Sequence, residues 1–369
     1  MILGARQVGK TTLIKHVLSN KSAIFFNFDI DVDVNRFFAL TSLPPKDALY
    51  SIGNPDFLVI DEAQRKPDVF RIVKGWFDSN LPVKIILLGS SSADIAKHSA
   101  ESLIGRNEKI NLPALVFPEV LQSQSWFNAS LRPDEISKSF QNQIEELLMQ
   151  SVVFGSYPEV VLTGDKRSIV TNLAVDYLLK DILQLGLIRD PETIRRLISL
   201  VARQIGSTVS INELANTLNI SRSTVERYLN LLEQTYVIFR LPAYSTNPRK
   251  ELTKSQKIFF WDTGIRNAVL GEFSMDKLRA DIGPLWENWV IAEVAKHNLI
   301  MGSRNKLFFW RARDGSEIDL VFKNGDKIKA IEIKWSDTGG RNKAFRDAYN
   351  IDVQNINRFN ALSIQEFAQ

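Results

Sequence analysis

Short apolar runs rich in β-branched and aromatic residues recur along the first third of the chain, with amphipathic stretches between them. Ala23–Phe28 (AIFFNF), Phe57–Ile60 (FLVI) and Lys84–Leu88 (KIILL) predict buried strands, and Thr11–Ser19 and Asp68–Asp78 predict helices. Strands that alternate with helices imply a parallel sheet covered on both faces. Residues 135–205 read mostly as helix. Residues 210–240 hold a compact helical pattern that ends in the apolar run Tyr236–Leu241. From about residue 284 a helix leads into a second strand-rich region, 307–334. Asn247-Pro248-Arg249-Lys250 reads as a turn or wing between these blocks. There is no internal repeat, and Ser90-Ser91-Ser92 is the only low-complexity stretch.

Composition narrows the chemistry. At 369 residues, two or three domains are expected, and 44% hydrophobic with 24% charged residues excludes a disordered chain, a fibre or a small stapled domain. The chain has no cysteine, which removes disulfides, thiolate metal sites and thiol catalysis; three histidines argue against a histidine cage. Any metal is therefore expected to be a hard cation held by oxygen. No apolar run approaches the roughly 18 residues of a membrane span, and Met1-Ile2-Leu3-Gly4 does not read as a signal peptide, so a cytoplasmic protein is expected. The formal charge of +4 is unevenly placed. Residues 1–150 carry 16 Lys/Arg against 17 Asp/Glu, and residues 151–369 carry 30 against 25. The surplus fits either a polyanionic partner of the C-terminal part or an ordinary solvated surface.

Gly4-Ala5-Arg6-Gln7-Val8-Gly9-Lys10-Thr11-Thr12 fits GxxxxGK[ST] between a strand and a helix. Its glycines let backbone N–H groups wrap a phosphate, Lys10 brings positive charge to the β- and γ-phosphates, and the Thr11 hydroxyl is a Mg²⁺ ligand. The helix that follows points its positive end at the same anion. A second strand, Phe57–Ile60, runs into Asp61 and Glu62. Beside a P-loop, Asp61 is expected to hold Mg²⁺ and Glu62 to orient and deprotonate the attacking water. A third strand ends in Gly89-Ser90-Ser91, where Ser90 or Ser91 is a candidate γ-phosphate sensor or simply part of a turn. Arg106 reads as an arginine finger, a sensor or a surface arginine.

With these stretches in view, residues 1–125 resemble the AAA-type ATPase domain of a widespread bacterial and archaeal family whose members carry a C-terminal domain of uncharacterised function. LGARQVGKTTL, FLVIDEAQ, ILLGSSS and ESLIGR carry the resemblance. The chain departs from it at Leu88, where the family usually has Thr. It departs again at the start, where only three residues precede the loop. Strands typically have five or six residues, so the chain is expected to begin inside its first strand.

Ile211–Ser221 and Arg222–Glu233 read as two short helices. Leu214, Ala215 and Leu218 line the first, Asn219-Ile220 form the turn, Ser221 caps the second, and Val225, Tyr228, Leu229 and Leu232 line it. The pair resembles a winged helix. Arg222, Ser223, Thr224 and Arg227 would face a DNA major groove, or the module would serve packing or protein contacts. Glu226 and Glu233 lower the positive charge of that face.

Near the end, Gly315–Phe322 and Ile328–Lys334 read as strands joined by a turn at Asn324-Gly325. Glu332 and Lys334 share a face, Ile333 points into apolar packing, and Asp319 across from Glu332 would complete a Mg²⁺ site that activates water against a phosphodiester. This spacing resembles the PD-(D/E)xK nucleases. The resemblance implies an extra acid from the preceding helix, Glu287 in Gly283-Pro284-Leu285-Trp286-Glu287 rather than Glu293. Arg311 and Arg313, alternating before Asp319, would meet phosphate.

The expected molecule is of the α/β class. Residues 1–130 form a P-loop NTPase parallel sheet, 131–255 a helical lid and winged-helix region, and 256–369 an α/β nuclease-like (restriction-endonuclease-like) domain. The expected catalytic residues are Lys10, Glu62, Arg106, Glu287, Asp319, Glu332 and Lys334. ATP and Mg²⁺ are the expected cofactors, with Thr11, Asp61, Asp319 and Glu332 as metal ligands. DNA is a candidate partner through Arg222, Arg227, Arg311 and Arg313, no membrane partner is expected, and a homo-oligomer in which Arg106 serves a neighbour's nucleotide stays open. The alternative is a nucleotide-regulated DNA- or protein-binding module with an inactive nuclease fold.

Overall fold

The computed structural model describes residues 1–90, 105–128, 139–178, 190–245, 256–303, 305–312, 315–336 and 343–364. Ser91, the 101–104 part of ESLIGR, the 247–250 turn or wing and Arg313 lie outside the described residues. The chain divides into two units, Met1–Pro113 with Gln234–Tyr236, and Ala114–Glu233 with Val237–Gln369.

In the first unit, β1 (Ile2–Leu3), β2 (Ala23–Asn27), β3 (Phe57–Asp61), β4 (Lys84–Gly89) and β5 (Ile110–Asn111) form one sheet in the order β2-β3-β4-β1-β5. Every pairing in it is parallel. The central strands are apolar throughout because both faces are covered: Leu58, Val59 and Ile60 are all inaccessible to solvent. One face packs Phe26, Phe37, Phe70 and Trp76. The other packs Ile2, Ile14, Val59 and Leu88 under the helix Lys10–Val17. The helix Asp68–Asp78 starts directly after Pro67 and buries Val69, Phe70, Val73 and Trp76 at helical spacing.

The second unit begins with helices, Gln141–Phe154, Pro158–Leu162 and Lys166–Asn172 among them. From residue 191 the order is helix Pro191–Arg203, β6 (Thr208–Val209), helix Ile211–Leu218, helix Arg222–Gln234, β7 (Ile238–Pro242) and β8 (Gln256–Phe260). The three strands form an antiparallel sheet in the order β6-β8-β7. Asn219 closes the first helix of the pair in the left-handed conformation, and Ser221 accepts the Thr224 N–H at 3.2 Å as the cap of the next.

The helix Ile282–Ile300 then leads to β9 (Lys306–Arg311), β10 (Glu317–Asn324), β11 (Lys327–Ile333) and, after the helix Lys343–Tyr349, β12 (Val353–Ile356). These form a mixed sheet, β12-β11-β10-β9, antiparallel except where β11 meets β12. The helix starts at Ile282, two residues before the expected 284, because Gly283-Pro284 fits its first turn, where no intrahelical N–H is needed. The β10–β11 turn is Gly325-Asp326, one residue later than Asn324-Gly325. Asn324 still pairs with Lys327, and Gly325 takes the positive φ of 59° at the first turn position.

Candidate functional site

The loop between β1 and its helix is shaped for an anion. Gln7 and Gly9 have φ of 60° and 93°, which curls successive N–H groups inward ahead of the helix start at Lys10. Gly4 is sterically required, because a Cβ there would lie 2.1 Å from the Leu112 carbonyl oxygen. Gly4, Ala5 and Val8 are buried, Arg6, Gln7, Gly9 and Thr11 half-buried, and Thr12 exposed. The Lys10 ammonium, buried, donates to the carbonyls of Gly4 at 2.9 Å and Ala5 at 2.8 Å, which draws it over the loop. Parallel pairing of β3 with its neighbours carries Asp61 to the loop, where its Oδ2 accepts from the Thr11 hydroxyl at 2.5 Å. Two hard oxygen donors held together suit Mg²⁺.

Beyond Asp61 the backbone turns sharply. Glu62 adopts φ 53°, ψ 40°, and its N–H donates to Asp61 Oδ1 at 2.9 Å. Its carboxylate meets Gln64, whose Nε2 donates to Glu62 Oε2 at 2.5 Å and to Ser90 Oγ at 3.0 Å. Ser90 is buried at the end of β4. Arg106 is placed elsewhere. It pairs with Asp78 at 2.8 Å and lines a cavity of about 620 Å³ with Met1, Leu81 and Lys84, at the amino-terminal end of the sheet. The P-loop lies at the opposite, carboxyl-terminal end.

In the second unit, Asp319 and Glu332 lie on neighbouring strands, one step beyond the paired Leu320 and Ile331. The Lys334 ammonium lies 3.2 Å from Glu332 and 3.9 Å from Asp319, whose Oδ2 accepts the Ile333 N–H at 2.7 Å. Glu287 is held by a different cation. Its Oε1 accepts from the Lys257 ammonium at 2.8 Å, and the same ammonium contacts Glu317. Lys257 is almost wholly buried on β8. Burial alone would lower its pKa, but Glu287 and Glu317 outweigh burial and raise it. Burial pushes the Asp319 carboxyl up, against the pull of Lys334 and the Ile333 N–H. Lys334 is raised because Asp319 and Glu332 outweigh its partial burial. Burial, with Asp319 adding to it against Lys257, pushes Glu287 up to about 7.

The Glu287 shift has a definite sign for stability. From about pH 4.5 to 7 the native carboxyl keeps a proton that the unfolded chain has lost, so its contribution is full below 4.5 and fades as pH rises through 7. Glu287→Gln keeps an acceptor for Lys257 and removes this titration. Urea midpoints in EDTA should show the variant gaining on the wild type between pH 4.5 and 7, by up to about 3 kcal/mol. A constant difference across that range would exclude Glu287 as the source.

Among the described residues, no group of three or more His, Asp or Glu side chains is arranged as a ready metal cage. The chemistry of the donors still suits a hard cation, because the buried Glu332 Oε2 has no hydrogen-bond partner there. Glu293 lies apart, accepting from the Phe117 N–H at 2.7 Å and pairing with Lys296 at 2.9 Å. Arg222 and Arg227 are exposed on the second helix of the pair. Arg240 of β7 pairs with Glu226 at 3.1 Å and Glu233 at 3.2 Å, so these acids are locally compensated. Arg311 is exposed, 3.8 Å from Glu317. Gln64, Lys257 and Glu317 are the members of these sites that sequence reasoning did not single out. Gln64 sits in the DEAQ stretch and Glu317 two positions before Asp319, but Lys257 is marked only by being charged within an apolar strand.

Residues 1–121 match the model of an AAA domain, which supports an AAA-type P-loop ATPase in the first unit. Residues 145–276 and 282–362 match two domains of unknown function, DUF8612 and DUF4143. An uncharacterized protein of Mycobacterium tuberculosis is 28% identical over 360 residues, covering 96% of this chain and 74% of its own length. One from Methanocaldococcus jannaschii is 28% identical, covering 97% and 80%, and one from Haemophilus influenzae is 22% identical, covering 90% and 81%. Among the described residues, no helix is long and apolar enough to cross a membrane.

Proposed function

We propose that this protein binds Mg-ATP in its first unit and hydrolyses it, and that its second unit is a winged-helix and nuclease-like region that acts on DNA. The observation that carries the ATPase reading is the joining of the P-loop to β3, with Thr11 bonded to Asp61 at 2.5 Å and Lys10 drawn over the loop. Lys10 would neutralise the β- and γ-phosphates, and Glu62 would accept the proton of the attacking water. Thr11 and Asp61 would hold Mg²⁺, which when bound offsets the developing phosphate charge. Ser90 would contact the γ-phosphate. Arg106, standing away from its own P-loop, would act on the nucleotide of a neighbouring copy in a homo-oligomer.

The second part rests on the Asp319–Glu332–Lys334 group and on the order helix, β6, helix, helix, β7, β8, which suits a winged helix. Asp319 and Glu332 would hold the cation, Lys334 would position the water that attacks a phosphodiester, and Glu287 would supply an acid at the edge of the group. Arg222, Arg227, Arg311 and Arg313 would meet phosphates.

Both parts are open to test. Lys10→Ala should abolish nucleotide binding, whereas Glu62→Gln should keep binding and lose turnover by about 100-fold or more. Turnover in Glu62→Gln equal to wild type would remove Glu62 as the base. For the second unit, protein is incubated with Mg²⁺ or Mn²⁺ and several DNA forms, with and without ATP, beside Lys334→Ala. Cleavage that survives Lys334→Ala would sink the nuclease assignment, and DNA binding without cleavage would leave a binding module.

A further inference from the structure

Three side chains close a small triangle at the carboxyl ends of β3 and β4. Glu62 belongs to the base position of the proposed ATPase and Ser90 to its γ-phosphate contact. The third, Gln64, has no role in that scheme. Its amide nitrogen donates to Glu62 Oε2 at 2.5 Å and to Ser90 Oγ at 3.0 Å, while Ser90 Oγ lies 3.4 Å from the same carboxylate oxygen. The orientation of the amide is chemically fixed, because the reverse would set its carbonyl oxygen against a carboxylate. Both hydrogens of the –NH₂ group are thereby used. The carbonyl oxygen, Gln64 Oε1, is buried and meets no donor among the described residues.

The backbone is bent to make this possible. Glu62 takes a left-handed conformation that a non-glycine residue seldom adopts, and the turn Ala63–Arg65 follows at once. An extended Glu62 would carry its side chain onward with β3. The bend instead returns the carboxylate toward Gln64 and β4.

We propose that Gln64 is the positioning residue of the hydrolytic step, an inference that rests on the ATPase reading above. Its amide N–H groups hold Glu62 Oε2 and Ser90 Oγ in one arrangement, which leaves Glu62 Oε1 to receive the proton of the attacking water. The water oxygen then bonds to the γ-phosphorus, the bond from γ-phosphorus to the ADP oxygen breaks, one proton passes to Glu62, and ADP leaves with the electron pair. Because the same amide touches Ser90, a γ-phosphate engaged by Ser90 and a correctly aligned base belong to one hydrogen-bonded unit.

The test uses the full chain, steady-state ATP turnover and the affinity for a fluorescent ATP analogue. Gln64→Ala should lower kcat by about 10–100-fold, with KM and analogue affinity within about threefold of wild type. Gln64→Glu keeps the size of the side chain but sets a second carboxylate against Glu62, and should lose at least as much. In a cycle with Ser90→Ala, the double variant should lose less than the product of the single losses, as expected for groups acting as a unit. Wild-type kcat in Gln64→Ala, or losses that multiply independently with Ser90→Ala, would overturn the proposal. A fall confined to KM or analogue affinity would do the same, by showing a binding role. Wild-type protein that turns over ATP no faster than Lys10→Ala would overturn the ATPase reading itself, and this inference with it.

Discussion

Replacing Lys257 by Met should destabilise the second unit by about 3–5 kcal/mol at pH 8, the usual penalty for removing one partner of a buried ionic group. The substitution keeps most of the side-chain volume and removes only the charge. That charge is enclosed: Lys257 is 1% exposed, bonded to Glu287 at 2.8 Å, in contact with Glu317, and over the ring of Phe309 at 5.5 Å. Without it, Glu287 and Glu317 repel each other and Asp319, and the cations left nearby are Arg311, 3.8 Å from Glu317, and Lys334, beside Asp319 and Glu332. The loss should shrink on going to pH 5, because burial already raises the Glu287 and Asp319 carboxyls and their protonation relieves the repulsion. Adding Glu287→Gln and Glu317→Gln should restore much of the stability at pH 8, because no uncompensated charge is then buried. Tryptophan fluorescence in urea reads the right unit, since every tryptophan except Trp76 lies in the second one. An unchanged midpoint at pH 8 would mean that water reaches these carboxylates.

The same ion group marks where sequence reasoning stops. Period-two alternation and the hairpin were enough to align Glu332 with Lys334 and to set Asp319 across from them, because strand geometry is local. Lys257 lies some sixty residues before Asp319, on a strand of another sheet, and nothing near it in the chain announces its two acidic partners. Similar reasons separate the legible from the illegible in the first unit. The strands around Phe57–Ile60 and Lys84–Leu88 stand out as continuous apolar runs whose ends, Leu58–Ile60 and Leu87–Leu88, are buried, and the helix Asp68–Asp78 stands out as an amphipathic stretch between them. Gln64 is different: its meaning depends on Ser90, brought near by the parallel pairing of β3 with β4, and on the left-handed turn at Glu62. The position of Arg106 depends on Asp78, a tertiary partner that the Gly-Arg stretch does not reveal. The β10–β11 turn lies one residue later than the Asn-Gly pair suggests, because Asn324 stays in the ladder opposite Lys327 and Gly325 takes the positive φ.

Gly155→Ala should strongly destabilise the second unit, costing about 3–6 kcal/mol from two sources. The first is the backbone. Gly155 ends the helix Gln141–Phe154 at φ 80°, ψ −166°, a region that side chains with a Cβ avoid. The second is space. A Cβ would lie 1.8 Å from Asp262 Oδ1, and Asp262 is fully enclosed. That carboxylate accepts the Ser156 N–H at 2.8 Å and the Ile265 N–H at 3.2 Å, capping the helix Thr263–Leu270. Burial raises its pKa, with Lys296 as the opposing charge, so it has no solvent to fall back on when displaced. The approach is close from both sides, since a Cβ on Gly264 would meet the Phe154 carbonyl oxygen at 1.9 Å. Moving Asp262 aside would therefore strand two buried N–H groups and unseat the cap together. Gly164→Ala is the matched control, because nothing lies within 4 Å of its added methyl, and it should change the fluorescence midpoint by less than about 0.5 kcal/mol. A loss for Gly155→Ala as small as that of the control would show that Asp262 has room to move aside and that its two hydrogen bonds do not hold these segments together.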